Sequence, residues 1–121
     1  MSAKILDGKI VRDQIATNLT EQIAKLETKL KLVIIQIGEN PQSNTYIGQK
    51  IKFGERIGAL VEHKKFAENI ANEDLKSYIR NINSDLTVHG IIVQMPIPQN
   101  LDKEEIINSI NPNKDVDGLT L

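Results

Sequence analysis

A tyrosine and a lysine lie four residues apart, at Tyr46 and Lys50, in a stretch with the pattern of a helix. Residues at this spacing lie one above the other on a single helix face. The neighbouring positions Ile47, Ile51 and Gly54 are apolar or small, which favours packing of the adjacent face on a sheet. An aromatic ring beside an ammonium group could stack on a flat ligand and move a proton next to it. The same spacing is also common in exposed pairs on solvated helices.

A side-chain carboxamide lies at the end of a mostly apolar stretch. Gln94 comes directly after residues 88–93, and Pro96 and Pro98 stiffen the segment beyond it. An amide at the end of a buried strand needs partners for both its oxygen and its nitrogen. Two interpretations remain open: the side chain points at Lys50 or a ligand, or the backbone of the following loop satisfies it.

Oxygen-bearing side chains occupy alternate positions near the end of the sequence, at Asn113, Asp115 and Asp117, and Gly118 follows. This pattern opens an EF-hand calcium loop, but the glutamate at the twelfth position of such a loop would fall beyond Leu121. A calcium site is therefore one alternative and a plain surface turn is another. In the third interpretation, Asp117 alone faces a cleft and accepts hydrogen bonds from the N–H groups of a ligand.

Strand and helix patterns alternate along the chain. Nearly unbroken apolar runs at 32–37 and 88–93 predict strands that are buried on both faces, and the charges in 59–66 predict a strand nearer the sheet edge. Helical spacing or helix-start signals predict four helices, over residues 9–29, 40–58, 72–82 and 101–110. This order predicts an α/β fold with three α/β/α layers and a mostly parallel sheet of about three to four strands.

The predicted fold brings the chemical groups to one place. In open parallel sheets, ligands bind beyond the carboxyl ends of the strands. Residues 38–50 and 94–98 both follow predicted strands at that rim. We therefore expect the amine of Lys50, the carboxamide of Gln94 and the carboxylate of Asp117 to converge on a common hollow.

Composition excludes several classes of function. The 121 residues suit one domain, and a net charge of −1 with 3% aromatic residues argues against binding of nucleic acid or an anionic membrane. The absence of cysteine excludes disulfides and thiolate chemistry. No apolar run approaches the ~20 residues of a membrane helix, and the start lacks a signal-peptide core, so a cytoplasmic protein is expected. Neither G-x-G-x-x-G nor G-x-x-x-x-G-K-[ST] occurs, so no nucleotide site is predicted, and no metal site is expected.

Four stretches together resemble the N-terminal catalytic domain of the bifunctional methylenetetrahydrofolate dehydrogenase/methenyltetrahydrofolate cyclohydrolase family. They occur in the family's order and spacing from end to end of the chain, at residues 6–9, 38–58, 90–98 and 114–118. The resemblance implies that Lys50 is the catalytic lysine, with Gln94 as its polar partner. It also implies that Tyr46 packs on the folate and that Asp117 holds the pterin-type ring. The implied folate site comprises Ser43, Tyr46, Lys50, Val93, Gln94, Met95, Pro96 and Asp117.

The activity that the resemblance implies has two steps in one-carbon metabolism, which supplies purine biosynthesis. Family members oxidise 5,10-methylenetetrahydrofolate with NADP, or NAD in some members, and hydrolyse the methenyl product to 10-formyltetrahydrofolate. A free lysine amine titrates near ~10.4 and is a poor base at neutral pH. Because the methenyl substrate is cationic, it favours a neutral amine nearby. Our hypothesis is that neutral Lys50 activates water or shuttles the proton, oriented by the uncharged Gln94.

One departure from the family concerns length. Family members continue into a Rossmann-type domain that binds the cofactor, whereas this sequence stops at Leu121. We therefore expect a single folate-binding domain at residues 1–121, with no cofactor on this chain alone. The complete enzyme is expected to form a homodimer, and the isolated domain a monomer. The alternatives are a non-catalytic α/β module with a partial calcium loop, and the N-terminal half of another two-domain dehydrogenase, against which the Tyr46, Lys50 and Gln94 set argues.

Overall fold

The computed structural model describes residues 8–116, in which helices and parallel strands alternate. The elements are α1 (Gly8–Ala24), β1 (Lys31–Ile37), α2 (Pro41–Ile57), β2 (Leu60–Phe66), α3 (Asn72–Asn83), β3 (Gly90–Val93) and α4 (Lys103–Asn108), followed by a 3-10 turn (Pro112–Lys114). The strands form one parallel sheet in the order β2-β1-β3. The predicted α/β fold is confirmed. Within this range, none of the helices has the length and apolar character needed to cross a membrane.

The pleat of β1 divides its side chains between two cores. Val33 and Ile35 face α3 and α4, where they join a cluster that includes Leu75. Ile34 points to the other side and packs against Ile47 of α2. All of these side chains are at most 1% exposed. Helices therefore cover both faces of the sheet, in three layers, and the continuous apolar run of β1 is explained by its burial on both sides.

The strand β2 lies at one edge of the sheet, as its charges predict. Five of its seven residues are exposed, which is typical of an edge strand protected by charged side chains. At the opposite edge, Asp115 forms an isolated parallel bridge with Ile91 of β3. The segment that leads to the end of the chain therefore runs beside β3.

Local signals set both ends of α2, the helix that carries Tyr46 and Lys50. The side chain of Asn40 accepts a hydrogen bond of 3.0 Å from the backbone N–H of Ser43, which caps the helix, and Pro41 occupies the first turn. At the other end, Gly58 adopts a left-handed conformation with φ of 92° and donates its N–H to the carbonyl of Glu55. The start of α2 is thus fixed directly after the carboxyl end of β1.

Gly54 allows α2 to approach β2 closely. A Cβ at this position would lie 2.3 Å from Cγ2 of Val61, and a β-branched side chain such as Val61 has little freedom to move away. Gly48 lies on the same helix, but a Cβ there would have no heavy atom within 4 Å. The two glycines therefore form a matched pair for testing this contact.

We expect Gly54→Ala to lower the free energy of unfolding by about 1–3 kcal/mol, because the added methyl group overpacks the contact with β2. Gly48→Ala should be neutral or raise stability by up to ~1 kcal/mol, because alanine favours a helix and open space surrounds it. Urea unfolding followed by circular dichroism measures both effects. Equal changes in the two variants would contradict the close approach of α2 and β2.

Candidate active site

The amine of Lys50 and the carboxamide of Gln94 meet at the carboxyl rim of the sheet. Lys50 Nζ donates a hydrogen bond of 2.9 Å to Gln94 Oε1, and both side chains are half-buried. The backbone N–H of Gln94 donates to the carbonyl of Ile35 and extends the β1–β3 ladder by one bond. Gln94 Nε2 lies 3.5 Å from the carbonyl of Met95. The predicted contact between Lys50 and Gln94 is confirmed, and the loop backbone serves the other end of the same amide.

The ring of Tyr46 lies one helical turn before Lys50. Tyr46 is 47% exposed, and its hydroxyl accepts a long hydrogen bond of 3.5 Å from Gln42 Nε2. A half-exposed aromatic ring offers apolar area with a defined orientation for stacking. Tyr46 and Lys50 therefore present a ring and an amine side by side, as the spacing of four predicts.

Ser43 connects α2 to the loop that carries Gln94. Its side chain is 4% exposed, and its hydroxyl donates a hydrogen bond of 2.8 Å to the carbonyl of Met95. Ser43 is among the predicted substrate contacts, but the structure gives its hydroxyl proton a backbone partner. Ser43 therefore holds the Gln94 loop against the first turn of α2, which keeps Lys50 and Gln94 in one rigid unit.

The other predicted substrate contacts near Gln94 differ in their exposure to solvent. Val93 is 2% exposed and packs in the core beneath α3 and α4, so that only its backbone can contribute to the rim. The membership of Val93 in the folate site stays a prediction, and it would involve the backbone of Val93, because successive residues of a strand point to opposite faces and Gln94 takes the face of Lys50. Met95 is half-buried and Pro96 is exposed, next to Gln94.

Asp117 lies outside the described residues, and so does Gly118 of the proposed calcium loop. The chain just before Asp117 is well held: Lys114 Nζ donates to the carbonyls of Ile82 and Asp85, at 2.9 and 2.8 Å. No pattern in the sequence indicates this role of Lys114. Among residues 8–116, no group of three or more His, Asp or Glu side chains is arranged to hold a metal ion.

The turn that receives Lys114 is stabilised by a carboxylate. Asp85 Oδ1 accepts hydrogen bonds from the hydroxyl and the backbone N–H of Thr87, at 2.6 and 2.9 Å. These bonds hold the pKa of the Asp85 carboxyl below its usual value. The charged form of Asp85 therefore fixes the turn before β3, and the backbone carbonyl of the same residue accepts from Lys114.

The turn between β1 and α2 does not fit the phosphates of a nicotinamide dinucleotide. Gly38 has a positive φ of 79°, but Asn40 already accepts from the N–H of Ser43, and Pro41 has no N–H to offer. The carboxylate of Glu39 adds a negative charge beside the helix start. A phosphate-binding turn uses several free N–H groups without a competing anion, and neither Pro41 nor Ser43 supplies one here.

An open groove of about 490 Å³ lies beyond the carboxyl ends of β1 and β2. It is lined by Gly38, Glu39, Lys65, Phe66, Ala67 and Glu68. Lys50 and Gln94 are not among these residues, so the groove is distinct from the site at β3. Of the three groups expected in one hollow, Lys50 and Gln94 converge, and the position of Asp117 stays a prediction.

These features define an α/β domain with a lysine–carboxamide pair at the carboxyl rim of a parallel sheet. The chain belongs to the tetrahydrofolate dehydrogenase/cyclohydrolase family, whose catalytic-domain model matches residues 6–117. It is 39% identical over 122 residues to the bifunctional protein FolD of Desulfatibacillum aliphaticivorans, a match that covers 98% of this chain and 40% of that protein. The chain thus spans less than half the length of this relative. The resemblance drawn from the four stretches is confirmed.

Solved structures agree with the family assignment. The bifunctional FolD enzyme of Campylobacter jejuni, a methylenetetrahydrofolate dehydrogenase/cyclohydrolase, superposes with a TM-score of 0.91 at 37% identity over 94% of this chain and 42% of that one. The dehydrogenase-cyclohydrolase of Trypanosoma brucei, complexed with NADP cofactor and an inhibitor, gives 0.86 at 30% identity over 92% of this chain and 39% of that one. NADP is therefore a cofactor within the family.

Proposed function

We propose that this chain is the folate-binding catalytic domain of an enzyme that oxidises 5,10-methylenetetrahydrofolate and hydrolyses the methenyl product to 10-formyltetrahydrofolate. The observation that carries the proposal is the 2.9 Å hydrogen bond from Lys50 Nζ to Gln94 Oε1, next to the half-exposed ring of Tyr46. Membership of the family supports the same activity. The roles in one-carbon metabolism and purine biosynthesis, the cytoplasmic location and the homodimer stay predictions.

Substrate binding uses the ring of Tyr46 and the rim around it. A folate carries flat, conjugated rings, and a half-exposed tyrosine supplies a face on which such a ring stacks. By the family resemblance, Asp117 accepts hydrogen bonds from the pterin-type ring. Met95 and Pro96 extend the wall beside Gln94. The substrate's reactive carbon would then lie near the amine of Lys50.

Hydrolysis of the methenyl group needs a base beside a cation. Water attacks the electrophilic methenyl carbon, and Lys50 takes one of its protons as the new carbon–oxygen bond forms. The carbon–nitrogen bond to N5 then breaks with its electron pair on N5, the proton of the new hydroxyl group is transferred to N5, and the carbonyl of the 10-formyl product forms. The cationic substrate favours the neutral amine that this step requires. Gln94 Oε1 accepts a hydrogen bond from one N–H of that amine. This bond orients the lone pair of the Lys50 nitrogen without adding a charge.

The oxidation step needs a hydride acceptor in addition to these residues. In the family this acceptor is NADP, a nicotinamide dinucleotide, and at the start of α2 the N–H of Ser43 is already bonded to Asn40 and Pro41 has no N–H for its phosphates. In this chain, the side chains of Tyr46, Lys50 and Gln94 would hold and orient the folate at the reaction centre.

Titration of the chain with 5-formyltetrahydrofolate, a stable relative of the substrate, tests folate binding. We expect saturable binding by calorimetry and a rise in thermal stability on saturation. 4-Aminobenzoylglutamate, which lacks the pterin ring, should bind more weakly. Absence of folate binding combined with stabilisation by calcium would overturn the proposal in favour of a calcium-binding module.

A further inference from the structure

Gln36 is a polar side chain next to the carboxyl end of the mostly apolar strand β1, and it is 2% exposed. Its Nε2 donates a hydrogen bond of 2.7 Å to Asn44 Oδ1 on α2. Its Oε1 accepts from His63 Nε2 on β2, at 2.8 Å. A buried amide without partners costs about 1–3 kcal/mol, so an amide with partners on two other elements favours one arrangement of all three.

The direction of each bond in this network follows from one carboxylate. Glu39 is an acceptor only, so Asn44 must turn its Nδ2 toward Glu39, where the distance is 3.2 Å. Asn44 Oδ1 then faces Gln36, which must present its Nε2. Gln36 Oε1 therefore faces His63, whose Nε2 must carry a proton. Because this proton is present in the neutral tautomer and in the charged ring alike, the network tolerates protonation of His63.

The hydrogen-bond network begins and ends on the same strand, β2. Lys65, two residues after His63 on β2, forms an ion pair with Glu39. The connections therefore run from β2 through β1 to α2, and back to β2 through the turn between β1 and α2. Asn44 directly follows Ser43, which ties α2 to the Gln94 loop. Two successive residues thus anchor the start of α2, one to the sheet and one to the loop of β3.

We propose that Gln36 is a positioning residue for the reaction. It fixes α2 on the sheet through Asn44, so that Lys50, about 9 Å further along the helix axis, stays within hydrogen-bond reach of Gln94. Gln36 is too deeply buried to touch the substrate. This inference rests on the proposed function, because it assigns Gln36 a role in orienting the amine of Lys50.

Asn44, the exposed partner of Gln36, can be replaced to test this role without changing the core. We expect Asn44→Ala to lower kcat for methenyltetrahydrofolate hydrolysis by about 5- to 20-fold, with KM changed less than twofold and the unfolding midpoint nearly unchanged. Asn44→Asp keeps an acceptor for Gln36 Nε2 but places a second carboxylate beside Glu39, so it should recover the activity only in part. Thr45→Ala is the matched control, because Thr45 is exposed on the same turn and its hydroxyl donates to the carbonyl of Pro41 within the same helix.

The NMR resonances of the Gln94 side-chain amide report the geometry of this side chain in the absence of catalysis. They should shift in Asn44→Ala and in Gln36→Leu, and stay in place in Thr45→Ala. If both kcat and the Gln94 resonances are unchanged in Asn44→Ala, the positioning role is refuted. If the wild-type chain neither binds folate nor hydrolyses methenyltetrahydrofolate, the proposed function is refuted instead. In that case too, unchanged Gln94 amide resonances in the variants would refute the structural link between Gln36 and Gln94.

Discussion

Replacement of Lys50 by methionine should abolish most methenyltetrahydrofolate hydrolysis and leave folate binding largely in place. Loss of a positioned general base costs typically ~10²–10⁴ in rate. Methionine replaces the apolar stem of lysine as far as Cε, and it lacks the amine that donates to Gln94. We therefore expect kcat to fall in that range, while the dissociation constant for 5-formyltetrahydrofolate changes by less than about tenfold. The reaction is followed by the absorbance of methenyltetrahydrofolate, and the rate of its spontaneous hydrolysis is subtracted.

Lys52 provides the matched control for this experiment. It lies two residues further along the same helix and is exposed, so Lys52→Met removes the same charge without touching Gln94. The control should hydrolyse the substrate at nearly the wild-type rate. Full activity of Lys50→Met would refute the assignment of the base, and an equal loss in Lys52→Met would attribute the effect to the charge of the helix.

The contact between Lys50 and Gln94 was predictable because each residue carries its own positional signal. Lys50 belongs to a helix that starts at the end of β1, and Gln94 follows the apolar run of β3 directly. Parallel strands bring both points to one rim of the sheet, whatever the details of packing. The spacing of four between Tyr46 and Lys50 then fixes the ring beside the amine. Local patterns and one topological rule were therefore sufficient.

The role of Ser43 shows where local patterns are insufficient. The alternation of a strand predicts that Val93 and Gln94 point to opposite faces, whereas Ser43 carries no such signal. Its partner, the carbonyl of Met95, is 52 residues away in sequence, and such a contact depends on how closely α2 packs against the β3 loop.

Gln36 was the least predictable member of the site. Its partners Asn44 and His63 lie 8 and 27 residues away, on two different elements. In the sequence, Gln36 is only a single polar residue within an apolar strand. The register of β1 with β2, which places Gln36 opposite Lys65, determines which side chains it can reach. That register is set by the packing of the whole sheet.

Substitution of Gln94 by glutamate tests the chemistry of the amine, because it keeps the length of the side chain and adds one charge. A carboxylate at hydrogen-bond distance stabilises the ammonium form of a neighbouring lysine, typically by ~1–3 pH units. The basic form of Lys50 would then be populated only at higher pH. We expect Gln94→Glu to lower kcat at neutral pH by about 10- to 10³-fold and to move the rising limb of the pH–rate profile upward by the same ~1–3 units.

Gln94→Met separates this charge effect from loss of the hydrogen bond. Methionine removes the acceptor for Lys50 Nζ without adding a charge, so the rate should fall while the rising limb of the pH–rate profile does not move upward. Folate binding, measured with 5-formyltetrahydrofolate, should persist in both variants because the ring of Tyr46 is intact. A Gln94→Glu profile that coincides with the wild-type profile would mean that no neutral amine takes the proton of the attacking water. In that case the uncharged carboxamide would serve only to hold the loop against α2.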